Sequence, residues 1–308
     1  MKWDRLGLVW APDGTKAWAA THATCPTPFR RRDGGLRMYL QCRDAHNVGR
    51  VGYVDLDPDR PHRVVGISAE PVLDIGVPGT FDDNGVFQTS LVRLPDGRVF
   101  LYYVGFELCH HIRYRLLTGL AVSEDDGDSF VRVRATPILE RSSAELHFRC
   151  GPCVLYEDGR FRMWYVAGSR WETIEGKPMP VYDIRTMESD DGIHWPEEGQ
   201  PALAVDLAVE HGFGRPWIMP RAGGGLQMHY SVRRRSPAHY RLGWAHSADG
   251  LTWVRQDDAL QLCGPPQVWE QEALCYGAEF ESNGARWLVY NGRDFGADGF
   301  AIARLSEA

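Results

Sequence analysis

The chain has 308 residues and a formal net charge of -7, with 44% hydrophobic and 24% charged residues. It is long enough to bury a sizeable core and has the balance of a soluble globular protein. An acidic total excludes the basic face that a nucleic-acid partner would need. Residues 1–5 carry no apolar signal core behind them, and no run approaches the roughly 18 apolar residues of a membrane span. No membrane partner is therefore expected. Seven cysteines form no regular framework, and Cys150 and Cys153 make the only C-x-x-C pair, without a second pair at zinc spacing. They read as buried free thiols in a reducing cytoplasm, with no cofactor and no resident metal expected.

In chain order, residues 6–10 form a short apolar run without a neighbour to pair with. A unit then begins near His22, with a second strand expected at residues 36–41 and a third at 51–56. The next begins at the acid pair Asp82 and Asp83, where Asn84 and Gly85 mark a turn. It continues through a Pro95–Gly97 turn into an aromatic strand at 99–103 and a third at 118–123. This is hairpin chemistry. Similar units start near Phe148, with strands at 161–165 and 184–189, and near Phe213, with strands at 226–230 and 242–247. A last one opens at Glu272, runs through 286–290 and 300–305, and lacks a fourth strand.

Three of the third strands end in one kind of turn: Ser123 to Phe130, Ser189 to Trp195 and Ser247 to Trp253. The aspartate accepts nearby backbone N–H groups, glycine tolerates positive φ, and the aromatic packs beneath. These turns read as structural. Units spaced by about 60 to 65 residues, each of four strands, predict an all-β, five-bladed β-propeller. The single domain spans 1–308, with blades at 18–77, 78–140, 141–206, 207–263 and 264–308. Residues 3–11 supply the missing strand of the last blade and remove an exposed edge.

The motifs then resemble those of the five-bladed propeller glycoside hydrolases, the superfamily of arabinanases, xylosidases, invertases and mannoside phosphorylases. More narrowly, the chain resembles an uncharacterised bacterial group of glycosidase-like propellers. The residues that carry the likeness are Thr21 to Ala23, Arg43 to Asn47, Gly79 to Val86, Met163 to Tyr165, Arg215-Pro216, Tyr240 to Gly243, Glu272 to Tyr276 and Tyr290 to Gly292. The resemblance implies a central funnel lined by the innermost strand of each blade, around His22, Asp82 to Asn84, His147 to Arg149, Gly214 to Arg215 and Glu272 to Tyr276. It also implies three catalytic acids, yet Thr21 to Thr24 stands where the first blade would present an aspartate.

A glycosidase needs one carboxyl kept protonated and a second kept ionised across the scissile bond. Glu272 is the expected general acid, and Asp83 or Asp82 the base or charge partner; alternatively Asp82 only caps its turn. His22 is a candidate base in place of the missing aspartate, or else a hydrogen-bonded plug of the axis. A metal grouped by His22, His147 and an acid has no local spacing behind it. Arg43, Arg149 and Arg215 are candidates to grip a carboxylate or phosphate with forked hydrogen bonds, or else pair with neighbouring acids such as Asp44. Glu107 stands behind the funnel. Tyr165, Trp171, Tyr182, Tyr240 and Tyr276 are candidates to stack on sugar faces, and Asp44, Glu107 and Asn291 join the substrate-binding set. The arginine runs 30–32 and 233–235 read as solvated loop charges.

The function expected is a glycoside hydrolase-like enzyme acting on a small, anionic glycoside. The alternatives are a lyase, isomerase or cyclase of a biosynthetic pathway in the same funnel, or a carbohydrate-binding propeller without turnover. No Walker loop, nucleophile elbow or dinucleotide fingerprint competes.

Overall fold

The structure, a computed structural model, describes residues 1–306. Its elements are strands apart from three short 3-10 turns, and no helix among the described residues is long and apolar enough to cross a membrane. β1 (Lys2–Trp10) comes first. β2 (Thr21–Arg30), β3 (Leu36–Arg43), β4 (Gly49–Leu56) and β5 (Val64–Ile67) then pair antiparallel in that order. β6 (Val86–Arg93), β7 (Val99–Leu108), β8 (Tyr114–Ser123) and β9 (Val131–Arg132) repeat the pattern. So do β10 (Phe148–Glu157), β11 (Arg160–Ile174), β12 (Lys177–Ser189) and β13 (Gln200–Leu203), and again β14 (Glu210–Pro220), β15 (Leu226–Arg234), β16 (Tyr240–Ser247) and β17 (Val254–Arg255). After β18 (Gln261–Cys263) come β19 (Cys275–Ser282), β20 (Ala285–Asn291) and β21 (Phe300–Leu305). Their outer neighbour is β1, with Trp3 opposite Leu305 and Trp10 opposite Phe300.

The innermost strands pack on one another in a closed circuit: β2 on β6, β6 on β10, β10 on β14, β14 on β19, and β19 back on β2. The result is a propeller-like all-β fold. Its apolar core is divided among the seams between neighbouring sets. Met38, Leu40 and Val54 meet Phe280, Val289 and Ile302 in one seam, while Leu101 and Tyr103 meet Tyr39 and Val51 in the next. This is why the second strands are apolar on both faces; β3 is buried at every position but its last. A strand flanked by sheets on both sides has no solvated face to alternate with.

The recurring turns lock these seams. Ser247 Oγ accepts from Gly250 N–H at 2.8 Å, and Asp249 Oδ1 accepts from Leu251 and Thr252 N–H at 2.8 and 3.0 Å. The freed Gly250 carbonyl takes a hydrogen bond from Trp164 Nε1 of the preceding set at 2.9 Å. Gly192 does the same for Tyr102 at 2.9 Å, and Gly127 for Tyr39 at 2.6 Å.

A second repeated device is a buried tyrosine–carboxylate–arginine staple. Asp82 accepts from Tyr103 Oη at 3.0 Å and Arg132 Nε at 2.7 Å. Glu145 accepts from Tyr165 Oη at 2.7 Å, with Arg149 Nε 2.6 Å away as a charge contact. Asp257 holds Tyr230 and Arg255 at 2.5 and 2.6 Å, and Glu270 holds Tyr290 and Arg5 at 2.8 and 3.0 Å. Burial, then the adjoining carboxylate, pushes these phenols above their ordinary range, so they stay protonated donors. Asp82, Glu145 and Glu270 are buried acids whose charge is matched in this way, and removing one partner of such a pair costs about 3–5 kcal/mol.

Candidate active site

Every inner strand slips register against its second strand partway along. The shifts fall at Thr21/Thr24 in β2, Gln88/Ser90 in β6, Cys150/Cys153 in β10, Gly214/Trp217 in β14 and Cys275/Ala278 in β19. Bulges of this kind bend a strand and re-aim its side chains. Here they open a cavity of about 1170 Å³ at the end of the axis where the inner strands begin. Tyr276 illustrates the cost: its φ is 57°, a region bulky residues rarely occupy. In that conformation its N–H donates to Ser231 Oγ at 2.8 Å and its carbonyl accepts from Arg215 at 3.3 Å. The β11–β12 hairpin extends past the barrel of strands, so that Ile174, Lys177 and Met179 add a wall.

Four arginines (Arg43, Arg113, Arg215 and Arg233) and Lys177 share the lining with Glu175, Glu272, Asp294 and many aromatic side chains. Arg215 forms the floor, where its guanidinium donates to the Pro26 carbonyl and Thr27 Oγ1, both at 3.0 Å, and to the carbonyls of Tyr276 and Thr89. Arg43 donates to Asn47 Oδ1 at 3.0 Å, Arg113 reaches Met179 Sδ at 4.0 Å, and Arg233 reaches Tyr182 Oη at 3.5 Å. Among the described residues none of these four lining arginines forms an ion pair with a carboxylate. That contrasts with the staples, where each arginine has an acid.

The structure gathers only part of the expected constellation. Arg43, Arg215, Tyr182, Tyr240, Tyr276 and Glu272 line the cavity. The Glu272 carbonyl accepts from Arg241 at 2.6 Å, and its exposed carboxylate makes no hydrogen bond among the described residues. His22 sits at the edge, with Nδ1 2.9 Å from Thr21 Oγ1 and Nε2 3.4 Å from the lining residue Asp294. Burial, helped by the charge of Arg43, lowers its pKa against the pull of Asp294, which favours a neutral imidazole.

The other expected residues stand outside the lining. Asp82, expected at the mouth, is turned into its staple beneath Arg132. Asp83 accepts from Gly79 N–H at 2.7 Å and contacts the Asn84 amide, so Asn84 rather than Asp83 faces the cavity. Arg149 and Tyr165 belong to the Glu145 staple, and Arg149 also donates to the carbonyls of Glu140 and Pro196. Asp44 is a turn acceptor for His46 and Val48 N–H and pairs with Arg50 at 2.7 Å. Glu107 pairs with Arg115 at 3.2 Å. Asn291 is fully buried, bonding Cys25 N–H and the carbonyls of Ala23 and Gly299. Both cysteines of the C-x-x-C pair are buried thiols, and burial pushes Cys153 up to about 11. No group of three or more metal-ligating side chains occurs among the described residues.

The run 233–235 corrects its expectation as solvated charge. Arg234 is exposed and Arg235 pairs with Glu172 at 2.8 Å, but Arg233 lines the cavity. Asp294 was also missed. The available signal was positional: second strands end at the cavity, so the ends of β3 and β15 place Arg43 and Arg233 alike.

The strand sets and this axial cavity define a propeller-like, all-β class. A glycoside hydrolase structure superposes with a TM-score of 0.74 at 19% identity, covering 99% of this chain and 92% of that one. A structure of the GH130 family of mannoside phosphorylases, which contains glycoside hydrolases that target β-1,2 mannosidic linkages in Candida mannan, gives 0.70 at 14%, covering 97% and 93%. A thermostable family-43 glycoside hydrolase gives 0.63 at 16%, covering 94% and 91%. At these identities the likeness is one of fold. No family model matches the chain. In sequence it is 32% identical over 307 residues, 99% of each chain, to the uncharacterized protein Rv1502 of Mycobacterium tuberculosis (strain ATCC 25618 / H37Rv), and it belongs to that protein's family.

Proposed function

We propose that this chain is a five-bladed β-propeller enzyme that cleaves the glycosidic bond of a small anionic glycoside held in the axial cavity. The strand sets described above are its blades, with β1 completing the last. The observation that carries the reading is the row of four cavity arginines without acid partners, set in a fold of the glycosidase type. Such a lining favours an anion over a neutral sugar. Glu272 donates a proton to the leaving glycosidic oxygen, while His22, oriented by Asp294, takes the proton of the water that attacks the anomeric carbon. Asp82 and Asp83 are left to the scaffold, unlike the expectation drawn from their position. The seven unpaired cysteines fit a reducing, cytoplasmic setting.

Glu272→Gln should lower turnover by about 10²- to 10⁴-fold with unchanged thermal unfolding. Near-wild-type turnover in that variant overturns the acid assignment. The same arginines support a second reading, in which inorganic phosphate replaces water and the product is a sugar phosphate. Turnover in ¹⁸O-water separates them: hydrolysis puts label in the product without phosphate, whereas phosphorolysis requires phosphate and leaves the sugar unlabelled.

A further inference from the structure

Arg233 is held differently from the other cavity cations. Its guanidinium lies 5.0 Å over the ring of Tyr240, and its one hydrogen bond among the described residues is the 3.5 Å contact to Tyr182 Oη. The hydroxyls of Tyr182 and Tyr240 are 2.7 Å apart, and Nε of Arg233 is buried without a partner. Burial raises the phenols of Tyr240 and Tyr276 well above their usual range, so they remain neutral and do not offset the cation. The neighbouring His211 is also neutral, pushed down to about 4 by burial. A positive charge is thus enclosed by uncharged rings, an arrangement that stands in need of an anion.

Beside it, Tyr240 continues into an aromatic platform: Tyr276 stacks on Phe295 with centroids 6.3 Å apart, and Tyr240 meets both rings. Phe295 adjoins Asp294, which faces His22. Tyr240 is inclined to Tyr276 by 50° and to Phe295 by 74°, so the rings make an angled apolar wall between a fixed cation and the acid–imidazole pair, which suits a pyranose ring with a charged substituent at one end and its glycosidic bond at the other.

We propose that Arg233, with the hydroxyls of Tyr182 and Tyr240, is a carboxylate-recognition subsite, and that the substrate is a glycoside of a uronic acid. This rests on the reading of the cavity as a glycoside-cleaving site. The planar fork of one guanidinium matches the two oxygens of a carboxylate, and the neighbouring phenols add hydrogen bonds without adding a second charge.

The test is calorimetric titration of the full chain with glucuronate and galacturonate, their methyl esters and inorganic phosphate. At least one uronate should bind, and its ester should bind about 10- to 100-fold more weakly, the scale of a charge-assisted hydrogen bond. Arg233→Lys, which keeps the charge but loses the fork, should weaken the uronate about 10-fold, with thermal unfolding confirming the fold. Tyr182→Phe provides a second, smaller loss should the lysine variant fail to fold. Equal binding of acid and ester, no uronate binding at millimolar concentration, binding of phosphate alone, or indifference to both variants overturns the subsite. Arg233-dependent uronate binding with no turnover of any uronide would instead leave the subsite standing and remove the glycosidase reading.

Discussion

Arg149 and Arg233 are both largely enclosed, and they sit in opposite electrostatic settings. Arg149 lies in a seam between blades, where Glu145, itself fully buried, lies 2.6 Å from its Nε. Arg233 lies on the cavity wall beside the phenols of Tyr182 and Tyr240 and the neutral His211. The scaffold matches buried charges within the chain, as Asp82 and Glu270 also show; among the described residues the four cavity arginines have no such partner. Unmatched enclosed charge is costly to keep, so its presence at Arg215 and Arg233 separates site from scaffold where residue type alone does not.

This contrast can be broken by mutation. Arg149→Met leaves Glu145 short of a partner and should lower stability by about 3–5 kcal/mol in urea unfolding. Arg233→Met removes an uncompensated charge and should change stability by less than about 1 kcal/mol, or raise it. Equal losses in the two variants would erase the distinction.

Acid should act on the wall through His211, whose Nδ1 lies 2.8 Å from the Pro180 carbonyl. Its folded value of about 4 lies below the unfolded value of about 6.5, so the unfolded chain binds more protons between them. The contribution is complete above the unfolded value and is lost as pH falls from there through the folded one. It amounts to on the order of 3 kcal/mol. Urea midpoints at neutral and mildly acid pH should therefore diverge less in His211→Asn than in the parent; identical slopes would refute the assignment.

The smallest effect belongs to the turns. Asp249→Ala removes the acceptor for two backbone N–H groups and should cost about 1–2 kcal/mol, without altering ligand binding.

The blades were legible because two local signals repeat: aromatic second strands and Ser–Asp–Gly turns. The strands expected at 36–41, 99–103, 161–165, 226–230 and 286–290 fall within β3, β7, β11, β15 and β20. The site was legible only in part. Asp82 looks like a mouth acid from its turn, but its partner Arg132 is fifty positions on, and the chain alone does not announce that pairing. Arg149 and Tyr165 stand outside the lining for the same reason: both serve Glu145. Arg233 was obscured by its two arginine neighbours, of which one is exposed and the other paired. Whether a charge has a partner is settled by tertiary contacts, which local pattern does not encode.

The pairing of β1 with β21 also dictates an order of events during synthesis. Trp3, fully buried, packs with Leu288, Tyr290 and Ala303, residues synthesised long after it. Until those residues leave the ribosome, the first strand has no sheet to join, and the circuit of inner strands stays open between β19 and β2. The earlier blades can form as they emerge, but the axial cavity, bounded by the first and last of them, comes into being only at the end. Formation of the cavity is thereby tied to the synthesis of β19 to β21, and a nascent protein arrested before them has earlier strand sets without a closed cavity.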